Sequence, residues 1–289
     1  MVNTLAIGGA EKHAISLANH LDPARFRASL CHLKAVGTLG HELDRSRLES
    51  VWCLNVRSKL DWSAAARLAR EIDAQGIDVI VCTNGYALLY AAIAARRARR
   101  PVQLVEVFHS TGFMKPVKSR LRMLLNAVAF RQCALVVYVS RTQHDFWRAR
   151  WVRSRRDIVI YNGIDTAHFT DRFTNEQKLA VRARVGCGPE DYVIGICAGL
   201  RPEKEHGVLL LGLKRLRDAG VAAKVLIIGD GPERSSIEQR VAALGLQDAV
   251  AITGYQADVR PYIACCDVMT LVSRETFSIT SFAVWWKSK

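Results

Sequence analysis

The stretch Cys197–Leu216, CAGLRPEKEHGVLLLGLKRL, carries the strongest indication of the fold. It reads as the end of an apolar strand, a tight loop with Arg201 and Lys204, and an amphipathic helix. The free N–H groups at a helix start carry partial positive charge and favour acidic neighbours. Two cations in such a loop are therefore unfavourable unless an anion binds beside them. The stretch predicts a strand–loop–helix unit that holds an anionic ligand.

Short apolar runs alternate with helical patterns along nearly the whole chain. The first helical pattern puts Ala14, Leu17, Ala18 and Leu21 on one face, and similar faces recur further on. Strand–helix alternation is typical of parallel sheets that are covered on both sides. The sequence therefore predicts an α/β fold with two doubly wound, Rossmann-like domains facing a crevice. The predicted strands are 27–36, 51–56, 78–83, 102–109, 134–140, 157–161, 192–200, 223–229, 249–253 and 267–273.

The polar stretch 165–190 fits a domain junction, and it predicts domains at 1–168 and 169–289. Only MVNTLA precedes the first glycine loop, so the first strand is expected to be largely missing. The alternation stops at FAVWWKSK, where a further helix and strand would be expected. Both domains are therefore expected to be incomplete.

The composition is that of a soluble globular protein, with 50% hydrophobic and 24% charged residues among 289. No signal peptide is recognisable, and no apolar run approaches the roughly 20 residues that span a bilayer. The eight cysteines form no CxxC pair, which favours reduced thiols in a cytosolic protein over a disulfide or zinc framework.

The net charge of +14 is concentrated in one part of the chain. Residues 96–156 contain 15 Lys and Arg against 2 Asp and Glu, and most of these cations lie in the runs RRARR, KPVKSRLR and RARWVRSRR. These cations are either solvated helix faces or a surface for an anionic partner. Interleaved aromatic residues, including Trp147 and Trp151, favour an anionic lipid surface. A nucleic acid would use the same charge, but no recognition motif accompanies it.

Ligands of doubly wound folds bind at the carboxyl ends of strands, beside helix N-termini. Each candidate there also has a structural explanation, such as a glycine turn, a core imidazole, or an ion pair between Arg201 and Glu203 or Glu205. Their concentration at strand ends favours a single ligand-binding crevice. The candidates are Gly8, Gly9, His109, Arg201, Lys204, Gly229, Gly231 and Glu275.

The motifs GGAEKH, VFH, VS, NGID, GLRPEK, GDGP and SRETFSI, in this order, resemble the retaining glycosyltransferases of the GT-B fold, family 4. The similarity covers nearly the whole chain, and RPEK followed about 70 residues later by ETFS is its most specific part. The resemblance implies that Arg201 and Lys204 grip the diphosphate of a nucleotide-sugar donor. It also implies that Glu275 binds the sugar hydroxyls and that His109 lies near the sugar. The donor-binding residues it implies are Gly8, Gly9, Asn162, Arg201, Lys204, Gly229, Gly231, Glu275, Thr276, Phe277 and Ser278.

By the same resemblance, the first domain faces the acceptor and the second binds the donor. The implied reaction moves a sugar, with retention, to a lipid-linked or saccharide acceptor in the synthesis of a cell-surface polysaccharide or glycolipid. The implied location is cytoplasmic, peripheral on the inner face of the cytoplasmic membrane. No Asp-x-Asp element occurs in the chain, so no metal or cofactor is expected, and Arg201 and Lys204 would replace the metal.

One position departs from the family pattern. The second glutamate of the family, eight positions after Glu275, is Ala283 in this chain. An inactive fragment or pseudoenzyme that retains nucleotide or membrane binding is therefore an alternative. A nucleotide-sugar epimerase on the same fold is the nearest enzymatic alternative.

Overall fold

The computed structural model describes residues 1–6, 8–37, 39–58, 61–109, 127–149 and 154–273. The chain divides into two compact units, Met1–Asn162 and Gly163–Lys289. This division lies a few residues before the expected boundary at 168/169. The polar stretch that follows is not all linker, because Thr174 and Gln177 form a capping box that starts the helix Asn175–Arg184.

The first unit is built on parallel strands. They are β1 (Ala28–His32), β2 (Leu48–Cys53), β3 (Val79–Thr83), β4 (Gln103–Phe108), β5 (Cys133–Tyr138) and β6 (Asp157–Val159). β1 pairs with β2, and the other four form a sheet in the order β3-β4-β5-β6. Helices Gly9–His20, Trp62–Gln75, Gly85–Ala95 and Arg141–Arg148 belong to the same unit.

Residues 1–3 lie between these two groups of strands. The Val2 N–H donates to the Cys31 carbonyl, and the Leu33 N–H donates to the Val2 carbonyl, at 3.0 Å each. On the other side, the Thr83 N–H donates to the Met1 carbonyl, and the terminal ammonium donates to the Val81 carbonyl. A short segment therefore holds the central position where the sequence predicted a largely missing strand. The chain runs outward from it to β1 and β2, then returns to β3 on the other side.

The second unit contains one four-stranded parallel sheet. Its strands are β7 (Tyr192–Cys197), β8 (Ala223–Ile228), β9 (Val250–Ile252) and β10 (Val268–Met269), in the order β10-β7-β8-β9. Helices Asn175–Arg184, His206–Asp218, Arg234–Ala243 and Arg260–Ala264 accompany it. The chain leaves β7 toward β9 and returns to β10, so the strand order reverses between β7 and β10. Open α/β sheets bind ligands at such a switch point.

The ten strands found among the described residues overlap the ten predicted runs, and the prediction of an α/β fold with parallel sheets is confirmed. The structure gives the environments of two side chains whose burial the sequence pattern left open. Leu17 is exposed, because Ile15 and Ala18 are the residues that turn the first helix toward the core. Trp147 is only 3% exposed and packs against Phe108, so it is a core residue and not a surface anchor.

All eight cysteines are free thiols. Among the described residues, no helix combines the length and the apolar character needed to cross a bilayer.

Candidate functional site

Two loops at the carboxyl end of the second sheet are bonded to one another. The Leu200 N–H donates to the Asp230 carbonyl and the Glu233 N–H donates to the Leu200 carbonyl, each at 3.0 Å. Leu200 is itself fully buried and anchors the loop in the core. These contacts bring the Arg201–Lys204 loop, which follows β7, beside the GDGP loop, which follows β8.

Gly229 and Gly231 make this approach possible. Gly229 has a φ of 147°, and a Cβ there would lie 2.1 Å from the Ala198 carbonyl oxygen. A Cβ on Gly231 would lie 2.5 Å from the Leu200 carbonyl oxygen. Both distances are shorter than any allowed contact, and both involve backbone that cannot easily move. The two glycines predicted to bind a donor therefore also hold the Arg201 loop in place.

Arg201 and Lys204 differ from most cations around them. Within the described part of the chain, neither side chain forms an ion pair, so the alternative of an Arg201 pair with Glu203 or Glu205 is wrong. In the same unit, carboxylates pair with Arg182, Arg217, Arg234, Arg260, Lys178 and Lys224. Two uncompensated cations at the switch point of the sheet can bind an anion.

The helix that follows adds to the positive potential. Helix His206–Asp218 has 13 residues, and no side chain caps its N-terminus. Glu205 precedes it in the left-handed conformation, with φ 49° and ψ 39°, which non-glycine residues adopt mainly at functional or strained positions. The helix start therefore offers free N–H groups beside Arg201 and Lys204, an arrangement suited to a phosphate group.

His206 is a site residue that sequence reasoning missed. It is 3% exposed, and its Nε2 atom is buried without a hydrogen-bond partner. Burial, and secondarily the Lys204 ammonium, lowers the pKa of His206. The sequence signal was a histidine directly after the RPEK loop, in register with the buried Leu209, Leu210 and Leu213.

In the first unit, the loop after residues 1–3 leads into an uncapped helix start. Gly8 is extended, with φ −167°, and no side chain caps the helix Gly9–His20. A Cβ on Gly9 would meet nothing within 4 Å, whereas a Cβ on Gly8 would lie 2.3 Å from the Glu11 Oε2 atom, so the Glu11 carboxylate lies beside this helix start. The loop follows the central segment at which the strand order of this unit reverses. Gly8 and Gly9 therefore lie where a doubly wound sheet binds its ligand.

His109 ends β4 at the same edge of the sheet. Its ring lies 4.8 Å from the ring of His13, which helix Gly9–His20 supplies and which the sequence analysis did not select. Burial, with a smaller effect of His13, lowers the pKa of His109 to about 4, and burial also lowers the pKa of His13. The Nε2 atom of His109 is buried without a partner. These imidazoles are therefore neutral near pH 7 and suited to hydrogen-bonding an uncharged group.

The remaining predicted residues divide into two groups. Asn162 is partly buried and is the last residue of the first unit. Glu275, Thr276, Phe277, Ser278 and Ala283 lie outside the described residues. Among the residues that are described, no group of three or more His, Cys, Asp or Glu side chains could hold a metal ion.

Comparison with solved structures identifies the class. The structure matches Anabaena HepE in complex with UDP and glucose, with a TM-score of 0.78 and 23% identity, over 96% of this chain and 74% of that chain. It also matches a glycosyltransferase from Rickettsia africae, with a TM-score of 0.73 and 18% identity, over 95% of this chain and 72% of that chain. The fold is that of the GT-B glycosyltransferases.

Sequence comparison identifies the family. Residues 7–168 match the family model described as Glycosyltransferase Family 4, and residues 191–283 match the one described as Glycosyl transferases group 1. The chain therefore belongs to glycosyltransferase family 4.

Two curated relatives have named activities. A 2-deoxystreptamine glucosyltransferase from Streptomyces kanamyceticus is 26% identical over 244 residues, covering 79% of this chain and 62% of its own length. An N-acetyl-alpha-D-glucosaminyl L-malate synthase from Bacillus anthracis is 25% identical over 230 residues, covering 76% and 57%. The chain thus spans about three fifths of the length of these relatives.

Proposed function

We propose that this protein transfers a sugar, with retention of configuration, from a nucleotide-sugar donor to an acceptor. The observation that carries the proposal is the pair of unpaired cations, Arg201 and Lys204, at the switch point of the second sheet and in front of an uncapped helix. A diphosphate is the anion that matches two cations and a row of free N–H groups.

The same groups account for acceleration of the reaction. As the glycosidic bond breaks, the leaving nucleoside diphosphate gains negative charge. Cations and N–H groups fixed beside it stabilise this charge more in the transition state than in the ground state, which lowers the barrier. Arg201 and Lys204 would thereby perform the task that a metal ion performs in other sugar transferases. We therefore propose that turnover requires neither a metal nor a cofactor.

The first unit would contribute one contact to the donor sugar and one to a donor phosphate. His109 has a neutral imidazole without a partner among the described residues, and it can accept or donate a hydrogen bond to a sugar hydroxyl. The backbone N–H groups at Gly8 and Gly9 would bind a phosphate oxygen. Asn162, the GDGP glycines and the ETFS residues Glu275–Ser278 keep the donor-binding roles that the family resemblance implies.

The relatives support a nucleotide-sugar donor. HepE was solved with UDP and glucose and also with UDP-glucose, and the curated relatives are named as glycosyl-transferring enzymes. For this chain we propose a lipid-linked or saccharide acceptor and a role in cell-surface polysaccharide or glycolipid synthesis. A cytoplasmic location at the inner face of the membrane would bring the enzyme to such an acceptor.

Exposed arginines support docking to an anionic membrane. Nine arginines of the window 96–156 are described, and all nine are exposed: Arg96, Arg97, Arg99, Arg100, Arg131, Arg141, Arg148, Arg155 and Arg156. Among them, Arg100 has a carboxylate partner, Asp78, in the described part of the chain. Glu106, one of only two acids in the window, is fully buried, and burial raises its pKa, so it does not offset this charge.

An exposed tryptophan lies beside the first of these runs. Trp62 is 57% exposed, and the Arg97 guanidinium lies 5.3 Å from its ring centroid. Tryptophan favours the boundary between lipid and water, and each cation near an anionic lipid surface contributes about 1 kcal/mol. Trp62 therefore replaces the buried Trp147 as the proposed anchor.

Transfer itself is the first test of the function. The protein is incubated with UDP-glucose, GDP-mannose or ADP-glucose and a membrane lipid extract, and sugar incorporation and product configuration are measured by NMR. We expect transfer from one donor, with the α-configuration of the donor retained in the product. Release of an altered free nucleotide sugar would identify an epimerase. Nucleotide-sugar binding without transfer to any acceptor would favour a pseudoenzyme.

Docking is tested separately, by co-sedimentation with vesicles of phosphatidylcholine containing different fractions of phosphatidylglycerol. We expect binding only to the anionic vesicles and steep loss at 1 M salt, where the Debye length falls to about 3 Å. Arg96→Gln with Arg97→Gln and Trp62→Ala should each weaken binding, whereas Leu179→Ala, which removes an exposed apolar residue of the second unit, should not. Equal binding to neutral and anionic vesicles would indicate that these arginines form solvated helix faces and do not bind a membrane.

A further inference from the structure

His206 is a buried polar group that the proposed transfer has not used. Its Nε2 atom is buried and unpartnered, and the residue is the first of the helix whose uncapped start follows Arg201 and Lys204. A buried polar atom without a hydrogen-bond partner lowers the stability of the folded state. In native structures such an atom usually has a partner that is not protein, such as a ligand or a water, or it changes its protonation state. His206 therefore belongs with the anion site by position as well as by chemistry.

The charges around the ring explain why it is neutral without a ligand. Among the described residues, the loop before this helix carries Arg201, Glu203, Lys204 and Glu205, and the neighbouring helix carries Arg240 and follows Glu233. The Arg240 guanidinium packs against Gly207: a Cβ built on Gly207 would lie 2.6 Å from the Arg240 Nη1 atom. Strand β8, on which the helix packs, presents only apolar side chains at 225–228. Burial of the ring, and secondarily the Lys204 ammonium, therefore favour the neutral imidazole when no ligand is bound.

We propose that His206 is a third cationic group of the diphosphate site, and that it takes up one proton when the donor binds. This inference rests on the proposed function, because it needs a diphosphate beside Arg201 and Lys204. The bound diphosphate would bring two negative charges beside the Arg201 and Lys204 side chains and the start of this helix. An anion beside an imidazole favours the protonated form, so the neutral ring becomes an imidazolium.

The proton balance is simple. One proton passes from the buffer to the imidazole, the conjugate base of the buffer stays in solution, and no bond of the donor breaks. Because binding and protonation are coupled, the coupling is reciprocal, and a lower pH must strengthen donor binding by the same free energy. The affinity should rise as the pH falls through the pKa of the donor-bound form, and level off below the lower pKa of the free form.

Calorimetry of the full chain tests the proposal. UDP-glucose, GDP-mannose and ADP-glucose carry diphosphate diesters that do not titrate between pH 6 and pH 8, so any proton taken up enters the protein. The donor that binds most tightly is titrated in two buffers with different ionisation enthalpies. We expect an uptake of up to one proton at neutral pH and an affinity about 10-fold higher at pH 6 than at pH 8.

Variants assign the proton to its residue. His206→Phe preserves a buried ring and should abolish both the uptake and the pH dependence, and His206→Gln should do the same if the phenylalanine variant does not fold. His20→Phe, at an exposed position in the first unit, should retain both. Binding without uptake in the wild-type protein, or uptake that survives in the His206 variants, overturns this inference and leaves the donor site intact. Failure of all three nucleotide sugars to bind overturns the donor site and the inference together.

Discussion

The two units differ in their electrostatics at the carboxyl ends of their strands, although each has a point at which the strand order reverses. In both units a loop at that point leads into a helix whose N-cap residue makes no side-chain capping hydrogen bond among the described residues. In the second unit that loop carries Arg201 and Lys204, which form no ion pair in the described part of the chain. In the first unit the nearest helix cation, Lys12, lies 3.5 Å from Glu42.

The difference indicates that the two edges are suited to different chemical groups. An edge with free cations is suited to the charged diphosphate, whose charge grows during the reaction. An edge with neutral imidazoles is suited to sugar hydroxyls, which need hydrogen bonds and would gain little from a cation. A shared topology therefore leaves the chemistry open, and the side chains placed at the switch point determine it.

The largest expected effect, on nucleotide-sugar affinity, tests the edge of the second unit that carries Arg201 and Lys204. Replacing both Arg201 and Lys204 by alanine removes two charge-assisted contacts, each of about 1.5–3 kcal/mol, and should weaken nucleotide-sugar binding at least 100-fold. Arg215→Ala, at the other end of the same helix, is the matched control and should bind normally. Calorimetric titration measures the affinity. Unchanged affinity in the double variant would mean that the anion is not bound at this loop.

Lys204→Arg separates charge from shape at the same position. An ammonium is a compact point charge, whereas a guanidinium is a planar fork, so the exchange should restore only part of the affinity lost in Lys204→Ala. The same titration measures it. Full restoration would show that the loop supplies charge without a defined geometry.

The next prediction tests the packing of the Arg201–Lys204 loop against the GDGP loop in the second unit. Gly229→Ala places a Cβ against the Ala198 carbonyl in a backbone conformation that favours glycine, and should lower the free energy of unfolding of that unit by about 3 kcal/mol. Gly212→Ala is the control, because it lies in a helix with open space around it and should stabilise by up to about 1 kcal/mol. Urea denaturation followed by circular dichroism measures both. Equal stability of the two variants would contradict the loop packing.

A smaller effect, on the pH dependence of stability, tests the edge of the first unit that carries His13 and His109. His109 has a pKa of about 4 in the folded chain and about 6.5 when unfolded, so the unfolded chain binds more protons between these values. Stability should therefore be full above pH 6.5 and should fall by about 2 kcal/mol as the pH drops to about 5. His109→Phe should lack this part of the pH dependence, while His20→Phe should keep it. Melting temperatures across pH 4–7.5 show which occurs.

The smallest expected effect concerns metals. If Arg201 and Lys204 stabilise the leaving group, EDTA should change turnover less than about 2-fold. Loss of activity with EDTA and rescue by Mn²⁺ or Mg²⁺ would require a cation in the role assigned to these side chains.

Local sequence was sufficient to predict the strands and the Arg201–Lys204 loop. Short apolar runs indicate strands, and each of the ten strands among the described residues overlaps a predicted run. Arg201 and Lys204 could be selected because their charge conflicts with a helix start, which depends only on neighbours in the chain. The family motifs depend on the same local order, and the family models match the chain over 7–168 and 191–283.

Tertiary structure alone decided the burial and the partners of single side chains. Trp147 and Leu17 carry no local mark of being buried or exposed, because packing between distant elements sets their environment. Likewise, the need for glycine at 229 arises from the carbonyl of Ala198, which a separate strand brings close. The environment of His206 also depends on tertiary structure. Its ring is buried, and its Nε2 atom lacks a partner, only because the folded sheet and helices surround it.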